Sequence, residues 1–379
     1  MAESRPLRIG IDARELVGAP TGVGRYLFEL VDRWRRGDDA GRPWLILYVP
    51  ARARDRGRLA ELEVGPAVTV REVGGTGGTF WEQAQLPPVA NRDRLDVFFA
   101  PANSAPLALT APVVVAIHDL SFMAHPEWFG WPGGLRRRAL ARWSARAAAR
   151  IVTVSEFSAN EIRRFLDVAP AKLDVIPHGL SAPALVAGGG TRPAREPLAL
   201  FVGSIFNRRH VPDLVRAFAR VARDHDDARL VIAGENRSFP REDPAAIAAE
   251  LGIADRVLVR SYVTDAELGS LYLRARAFVF LSEYEGFGLT PIEALAHGVP
   301  AIVCDTPVAR EVCGDAVEYV SCGAVGDVAE ALERLLYDAQ ARADLLARGP
   351  AVLQRYSWDR TAATTLAVLT NAAVGGEAP

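Results

Sequence analysis

Residues 277–303 of the chain read AFVFLSEYEGFGLTPIEALAHGVPAIV, and this stretch decides the fold. Its opening run, 277–280, and its closing run, 301–303, are short and uniformly apolar, as buried strands are. A glycine-rich loop and a segment with helix-start signals separate the two runs. A strand, a helix and a second strand in this order predict a βαβ unit, whose two strands lie parallel in one sheet.

The loop inside this unit has two interpretations. In the structural one, Thr290 caps the following helix and Glu293 completes an S/T-x-x-E capping box. The same pattern recurs at Thr264 and at Ser158, which shows how common it is. In the functional one, the loop glycines and the free amides of the helix start bind an anion, and Glu285 is placed to accept hydrogen bonds from sugar hydroxyls. These residues alone predict a phosphate-ester or nucleotide site.

The alternation of apolar runs and helical patterns continues along the chain in two series. The first series predicts strands at 7–11, 45–49, 97–99, 113–117, 151–154 and 173–176. The second series predicts strands at 198–202, 229–233, 257–259, 277–280 and 301–303. Because continuous apolar strands alternate with helices, the predicted fold class is α/β, with two Rossmann-like, doubly wound parallel-sheet domains facing a cleft.

Residues 183–197 interrupt this alternation. The segment is rich in Gly, Pro and Ala and has no periodicity, so it predicts an interdomain linker. The first domain is then 1–182 and the second is 198–356, followed by a helical segment at 357–379. In sheets of this kind, ligands bind beyond the carboxyl ends of the strands.

Composition argues against several classes of protein. Of the 379 residues, 50% are hydrophobic and 24% are charged, and this hydrophobic fraction is enough to bury a core in each domain. The net charge of −2 gives no overall attraction to nucleic acid. Residues 97–117 are uncharged, but their three prolines argue against a membrane span, and the N-terminus lacks the apolar run of a signal peptide. Three cysteines without metal-ligand spacing indicate a reducing compartment, so we expect a cytoplasmic protein.

Three shorter motifs follow predicted strands. Residues 21–25, TGVGR, either bring a ligand close to a helix start or form a helix start that needs small residues. Leu27 occupies the position where a dinucleotide fingerprint has its third glycine, which argues against an NAD site. Arg208 and Arg209 either bind a diphosphate at a strand-to-helix turn or form a solvated face. His118, next to an aspartate, either serves a reaction or is a structural hydrogen-bonding residue.

One predicted helix carries a stripe of arginines spaced four residues apart. The stripe is either a solvated face, which is the commoner case, or a contact with anionic lipid or a charged acceptor. As a weak lipid contact it would place the protein at the inner face of the membrane. Its members are Arg138, Arg142, Arg146 and Arg150.

These segments together resemble glycosyltransferase family 4, whose members are retaining enzymes with the two-domain GT-B fold. The resemblance covers nearly the whole chain. In the first half, the similar segments are GIDAREL (10–16), TGVGRY (21–26), FWEQAQLP (80–87), AIHDLSF (116–122) and VIPHG (175–179). In the second half, they are VGSIFNRRH (202–210), YVTDAELGSLY (262–272) and, most specific of all, EGFGLTPIEALAHGVPAIV (285–303).

The resemblance implies roles for individual residues. Arg208 and Arg209 would hold the diphosphate of a nucleotide-sugar, with Arg209 standing where relatives usually carry lysine. Glu285 would contact the donor sugar and His118 would lie near the reaction centre, which completes the predicted catalytic set. The further donor-binding residues implied are Gly22, Gly24, Gly203, Ser204, Tyr262, Val263, Gly286, Phe287, Gly288, Leu289, Thr290 and, at the ribose, Glu293.

On the acceptor side, the resemblance implies Trp81, Glu82 and Asp119. It also implies that the final segment, 357–379, crosses back to the first domain. The implied reaction is retaining and needs neither metal nor cofactor. It transfers a hexose or deoxyhexose from a GDP- or dTDP-linked donor to a glycan, lipid-linked or small-molecule acceptor. A sugar-nucleotide epimerase or a phosphorylase on the same fold, and a non-catalytic nucleotide-binding scaffold, are the alternatives.

Overall fold

The computed structural model describes residues 5–18, 21–37, 41–52, 55–62, 67–181 and 194–375. The chain divides into two compact units: the first unit is Met1–Gly179 with Ser357–Pro379, and the second unit is Leu180–Tyr356. Most of the predicted linker, 183–197, lies outside the described residues. Its last two residues belong to a strand that begins at Glu196, so the second sheet starts before residue 198.

The first unit is built on a seven-stranded sheet in which all neighbouring strands are parallel. The strand order is β3-β2-β1-β4-β5-β6-β7, so the order reverses between β1 and β4, and ligands of such sheets bind at this switch point. The strands are β1 Arg8–Asp12, β2 Trp44–Pro50, β3 Val68–Val73, β4 Val97–Ala100, β5 Val113–Ala116, β6 Arg150–Thr153 and β7 Leu173–Val175.

Helices cover both faces of this sheet. Leu45 and Leu47 of β2 pack into the apolar cluster on one face, whereas Ile46 and Tyr48 pack into the cluster on the other. Because both faces are buried, the central strands are apolar at every position rather than at alternate positions. The helices are α1 Gly22–Arg36, α2 Leu59–Leu62, α3 Leu86–Ala90, α4 Ser121–Ala124, α5 Gly133–Ala147 and α6 Glu156–Leu166.

The second unit has a six-stranded parallel sheet of order β10-β9-β8-β11-β12-β13, with its switch point between β8 and β11. The strands are β8 Glu196–Val202, β9 Arg229–Ala233, β10 Val257–Arg260, β11 Ala275–Phe280, β12 Ala301–Cys304 and β13 Glu318–Val320. The helices are α7 Val211–Asp224, α8 Pro244–Glu250, α9 Asp265–Arg274, α10 Leu289–Ala296, α11 Pro307–Cys313, α12 Val325–Tyr337 and α13 Ala339–Leu353. Two doubly wound parallel α/β sheets therefore confirm the predicted fold class. Among the described helices, none is both long and apolar enough to cross a membrane.

The final helix, α14 (Trp358–Ala373), belongs to the first unit. It packs on α1, where Trp34 donates its Nε1–H to the carbonyl of Ala362 at 2.9 Å, and Leu369 is fully buried beside them. The start of α14 touches Gly179, where a Cβ atom would lie 2.1 Å from the backbone nitrogen of Trp358. Glycine is therefore required where the first unit closes on its last helix.

Two strands and one helix end differ from the expectations. Strands β3 and β13 are not among the predicted strands, because β3 is half-exposed with polar residues and β13 has three residues. Helix α5 ends at Ala147, so the predicted arginine stripe is wrong at its last member. The backbone turns extended at Ala148, and Arg150 starts β6 and pairs with Asp174 at 2.6 Å between Nη2 and Oδ1.

Candidate active site

The second unit brings two of its predicted motifs together at the switch point of its sheet. Residues 203–209 follow β8, and residues 282–288 follow the neighbouring strand β11. The two segments are joined where the backbone N–H of Glu283 donates to the carbonyl of Arg208 at 3.0 Å. Side chains that are far apart in the sequence therefore meet at the sheet edge where ligands bind in doubly wound folds.

Arg209 and Glu285 form a partly buried ion pair at this edge. The guanidinium contacts Oε1 of Glu285 through Nε at 2.9 Å and through Nη2 at 2.8 Å, and it donates Nη1–H to the carbonyl of Ser204 at 2.8 Å. Ser282 donates its hydroxyl to the same Oε1 at 2.9 Å. Arg209 is therefore part of the framework that fixes Glu285.

The charge of Glu285 follows from these neighbours. Burial alone would raise the pKa of Glu285, but Arg209 and Arg208, together with the Ser282 hydroxyl, outweigh burial and hold the pKa below its usual value. The carboxylate is therefore ionised at neutral pH. An ionised carboxylate accepts hydrogen bonds without donating any, which suits recognition of sugar hydroxyls.

Arg208 is the cation whose donors remain available. Its Nε donates to the carbonyl of Tyr284 at 3.2 Å, and its guanidinium lies 4.4 Å from the ring centroid of Phe206. Within the described part of the chain, its two terminal nitrogens have no hydrogen-bond partner. An arginine held in this way at a switch point presents a planar pair of N–H donors to an anion such as a diphosphate.

Gly203 is required by the position of Arg209. Its φ is +139°, and a Cβ atom there would lie 2.7 Å from Nη1 of Arg209. The next residue, Ser204, accepts that same Nη1–H through its carbonyl oxygen. The predicted donor residues Gly203 and Ser204 therefore support the arginine by their backbone.

Helix α10 begins at Leu289, which corrects the predicted capping box. Its N-cap is Gly288, in the left-handed conformation at φ +86°, with no side-chain cap among the described residues. Thr290 lies inside the helix, and its buried Oγ1 has no hydrogen-bond partner within those residues. Thr290 therefore does not cap α10, and the predicted box between Thr290 and Glu293 does not form. The first-turn amides of α10 have no acceptor within the helix and form a partial positive charge beside the Glu285 loop.

The other predicted donor residues of this unit differ in exposure. Tyr262 is 71% exposed in the turn between β10 and α9, and Val263 beside it is half-buried. Gly286 is buried, and the buried ring of Phe287 packs edge-on against Tyr356 at 5.3 Å between centroids. Tyr262 thus offers an open ring face, whereas Phe287 anchors the loop by packing.

The first unit holds a pocket of about 440 Å³ at the switch point of its own sheet. The pocket is lined by residues that follow β1 and β4, by residues 77–82 and by α5. Eight of its fourteen lining residues have polar side chains, and two of these are arginines of α5. The charged and hydroxyl-bearing residues of the lining are Arg14, Glu15, Thr79, Glu82, Ser104, Arg136 and Arg137.

A buried ion cluster of Asp12, Arg14 and Glu82 underlies this pocket. Nη2 of Arg14 lies 2.7 Å from Oδ2 of Asp12 and 2.7 Å from Oε1 of Glu82. Ser104 donates its hydroxyl to that Oε1 at 2.7 Å. Glu82 projects from a π-helical turn, Trp81–Gln85, and such turns are rare and frequent at functional sites.

Two carboxylates share the one guanidinium in this cluster. Burial raises the pKa of Asp12 to about 6; Arg14 opposes the rise and Glu82 adds to it. Sequence reasoning missed Asp12 and Arg14 as site residues. The available signal was a pair of opposite charges directly after a buried strand, in the segment GIDAREL.

Of the three residues assigned to the acceptor side, Glu82 lines the pocket and the other two do not. Trp81 is 1% exposed and donates its Nε1–H to the carbonyl of Val73 at 3.2 Å, so it belongs to the core. Asp119 accepts the backbone N–H of Ser121 at 2.8 Å and its hydroxyl at 2.6 Å. Trp81 therefore fixes the turn that carries Glu82, and Asp119 stabilises the start of α4.

His118 follows β5 and is buried. Its Nε2 lies 2.7 Å from the carbonyl oxygen of Pro101, and because a carbonyl can only accept, Nε2 carries the proton. Burial lowers the pKa of His118, so the ring is neutral at pH 7 and its Nδ1 is an acceptor. The ring of Tyr26 lies edge-on at 4.9 Å and that of His178 stacks at 5.5 Å. Sequence reasoning had assigned no site role to either neighbour.

The two predicted glycines at the start of α1 have different surroundings. Thr21 caps the helix by accepting the N–H of Gly24 at 2.9 Å. A Cβ atom on Gly24 would lie 2.3 Å from the carbonyl oxygen of Glu15, whereas one on Gly22 would meet no described atom within 4 Å. Gly24 is therefore required by packing, and Gly22 has the open space beside it.

Comparison with known proteins establishes the family. The family described as Glycosyltransferase Family 4 matches residues 20–182, and the family described as Glycosyl transferases group 1 matches residues 189–351. The chain belongs to glycosyltransferase family 4. The two matches fall on the two halves in which the motifs were found.

Mannosyltransferases are among the similar curated proteins. The GDP-mannose:cellobiosyl-diphosphopolyprenol alpha-mannosyltransferase of Xanthomonas oryzae is 30% identical over 259 residues, which is 66% of this chain and 66% of that protein. The O-antigen chain mannosyltransferase B of Escherichia coli is 28% identical over 263 residues, 67% of this chain and 68% of that protein. The matched region thus spans about two thirds of the length of these relatives.

Solved structures agree on the fold. Anabaena HepE, in complex with UDP and glucose, aligns with a TM-score of 0.74 at 17% identity and covers 97% of this chain and 100% of its own. Sucrose-phosphate synthase from Thermosynechococcus elongatus aligns with a TM-score of 0.73 at 17% identity, over 98% and 100%. At identities this low the likeness concerns the fold alone, which is GT-B.

Proposed function

We propose that this family 4 member transfers a hexose or deoxyhexose from a nucleoside diphosphate to an acceptor hydroxyl, with retention of anomeric configuration. The observation that carries the proposal is the arrangement of Arg208, Arg209 and Glu285 at the switch point of the second unit. It places an ionised hydrogen-bond acceptor and an arginine with available donors beside the start of α10. That combination suits a sugar joined to a diphosphate.

Mannose carried by GDP is the donor that we favour within the GDP- and dTDP-linked class. The Xanthomonas oryzae relative is named for GDP-mannose, and the Escherichia coli relative is also a mannosyltransferase. The exposed ring of Tyr262 offers a stacking surface for a base, and every base has an aromatic face to stack. The support for guanine therefore comes from the relatives and not from Tyr262.

The residues of this site are suited to stabilising the leaving group rather than to covalent catalysis. Glu285 is held by Arg209 and Ser282 as a fixed hydrogen-bond acceptor for the sugar. Arg208 and the first-turn amides of α10 would stabilise the charge that develops on the diphosphate. The acceptor oxygen bonds to the anomeric carbon on the face from which the diphosphate oxygen leaves, and the acceptor proton passes to that departing oxygen.

Metal independence is part of the proposal. Arg208, whose terminal nitrogens remain available, and the first-turn amides of α10 supply positive charge that a divalent cation would otherwise provide. Across the described ranges, no three His, Cys, Asp or Glu side chains are arranged as a set of metal ligands. Activity that survives metal stripping and a chelator is the expected result, and restoration of lost activity by manganese or magnesium would contradict it.

The pocket of the first unit is the acceptor site that we propose. Glu82 and Ser104 are joined by a hydrogen bond on its wall in which the Ser104 hydroxyl is the donor, so their oxygens present acceptors to sugar hydroxyls. Arg136 and Arg137 add two cations to the same wall. The lining therefore fits a glycan that carries an anionic group, such as a phosphate.

The direct test combines ligand binding and product analysis. Melting temperature is measured with GDP, dTDP and UDP in the presence of EDTA, and a ligand that binds the folded state alone raises it. GDP-mannose is then incubated with candidate glycan and lipid-linked acceptors, and the new linkage is assigned by NMR. We expect stabilisation by one nucleoside diphosphate and an α-linked product. A folded protein that responds to none of the three nucleotides would contradict the proposal.

A further inference from the structure

Helix α5 exposes an apolar stripe that the proposed reaction does not use. Its inner face is buried in the first unit, whereas Leu135 and Trp143 on its outer face are 51% and 53% exposed. Residues eight apart lie on the same side of a helix, so these two side chains form one stripe. Trp131, just before the helix, is 81% exposed. The α5 surface is defined here by Trp131, Leu135, Arg142, Trp143 and Arg146.

Positive charge surrounds this stripe. Arg142 and Arg146 are exposed, and α5 contains five arginines and no acidic residue. Between Asp119 and Glu156 the sequence holds six arginines against one acidic residue, Glu127. The α5 surface differs from the arginine stripe expected from the sequence, because Arg138 is half-buried and Arg150 is paired with Asp174.

We propose that the α5 surface docks on an anionic bilayer. Tryptophan side chains favour the boundary between headgroups and acyl chains, and arginines beside them pair with lipid phosphates. A helix with apolar and cationic residues on its exposed side lies in the plane of that boundary. Nucleic acid would match the charge, but it would leave Leu135 without an apolar partner. A bilayer accommodates both features of the surface.

Docking would also orient the proposed acceptor pocket. Arg136, Arg137 and Leu140 line that pocket and belong to the same helix as the docking residues. The pocket mouth would then lie at the level of the lipid headgroups. The acceptor class that fits is a phosphate-bearing glycan on a lipid, and this step rests on the proposed function.

Vesicle sedimentation tests the surface directly. The full chain is mixed with vesicles of phosphatidylcholine, alone or with 30% phosphatidylglycerol, at low and high salt. Two double variants remove one feature each: Arg142→Glu with Arg146→Glu, and Trp131→Ala with Trp143→Ala. The matched controls change exposed residues elsewhere on the first unit: Arg52→Glu with Arg92→Glu, and Trp44→Ala.

We expect the wild type to bind the anionic vesicles at least tenfold more tightly than the neutral ones, and salt to weaken this binding. Each α5 double variant should lose at least tenfold in affinity, because the first removes the charges that attract anionic lipid and the second removes the rings that enter the boundary between headgroups and acyl chains. The controls should bind like the wild type. Equal binding by all variants, or no preference for anionic vesicles, would overturn the proposal.

A second readout separates this proposal from the proposed function. Affinity for nucleoside diphosphates is measured on the same variants, because none of the changed residues belongs to the donor site or the acceptor pocket. Unchanged affinity shows that the second unit is intact, and an unchanged melting temperature shows that the first unit is folded. Vesicle binding without any nucleotide binding would contradict the proposed function and support the docking surface. Loss of affinity for single-stranded DNA in the arginine variant, with no vesicle binding by the wild type, would overturn the docking proposal.

Discussion

Arg208 and Arg209 are neighbours in the sequence, but their surroundings give them different tasks. The family resemblance implied that both would hold the diphosphate and that Glu285 would contact the donor sugar. The different roles of the two arginines could not be predicted from the sequence. They depend on the left-handed backbone at Gly203, which leaves room for Arg209 to reach Glu285, while the terminal nitrogens of Arg208 stay available.

The cluster of Asp12, Arg14 and Glu82 shows the limit of sequence reasoning for single residues. Glu82 was assigned through a family resemblance, whereas Asp12 and Arg14 received no role. Their partners lie far apart in the chain and meet because one strand end and one π-helical turn border the same pocket. Spacing within a local motif carries no information about such a contact.

Asp12→Asn should change how stability depends on pH. The pKa of Asp12 is about 6 in the folded state against 3.8 without the fold, so folding favours the protonated form. The stability that protonated Asp12 gives the folded state is complete below pH 3.8 and is lost as the pH rises through 6. Between pH 4.5 and 7.5 the wild type should therefore lose about 1–3 kcal/mol more unfolding free energy than the variant.

Urea unfolding at steps of pH measures this difference. Asp255→Asn, at an exposed position of the second unit, is the matched control and should follow the wild type. Parallel pH profiles for the wild type and Asp12→Asn would show that Asp12 does not carry the raised pKa.

At the scale of the element, helix starts show what a local pattern can and cannot predict. The pattern at Thr264 and Glu267 forms a capping box, with both reciprocal hydrogen bonds present. The same pattern at Ser158 forms no capping box, because Ser155 caps α6 and Ser158 lies inside it. The box predicted at Thr290 is wrong because the left-handed Gly288 starts α10 earlier. A four-residue pattern recurs by chance, whereas the backbone before it decides where the helix begins.

Thr290→Val and Thr264→Val should differ in their effect on stability. Val keeps the shape of Thr290, whose hydroxyl has no partner among the described residues. The melting temperature of Thr290→Val should therefore stay within about 2 °C of that of the wild type. Thr264→Val removes a working cap and should cost about 1 kcal/mol, or about 2–4 °C. A comparable drop at both positions would mean that Thr290 caps α10.

At the scale of the whole molecule, the two-sheet plan was predictable and the destination of the last helix was not. Parallel sheets covered on both faces require uniformly apolar strands, and such runs are visible in a single sequence. The return of α14 to the first unit was expected through the family resemblance alone. In physical terms it depends on the close approach of Gly179 to Trp358, which no local pattern encodes.

Gly179→Ala should therefore loosen α14. The added Cβ would lie 2.1 Å from the backbone nitrogen of Trp358, and backbone atoms yield less readily than a flexible side chain. Overpacking of this kind costs about 1–3 kcal/mol. We expect a lower melting temperature and faster amide exchange in α14. Gly133→Ala, where a Cβ meets no described atom within 4 Å, is the control, and an equal melting temperature for both variants would contradict the packing argument.

We expect the switch point of the second unit to bind the diphosphate of a nucleotide-sugar, and calorimetric titration with GDP in EDTA measures this binding. The titration compares the wild type with Arg208→Ala and with Arg223→Ala, which removes an exposed arginine of the same unit. Charge-assisted phosphate contacts contribute about 1.5–3 kcal/mol. We expect saturable binding by the wild type, at least a tenfold loss in Arg208→Ala and no loss in Arg223→Ala. Equal affinity in all three proteins, or no binding of GDP, dTDP or UDP to the wild type, would contradict the account.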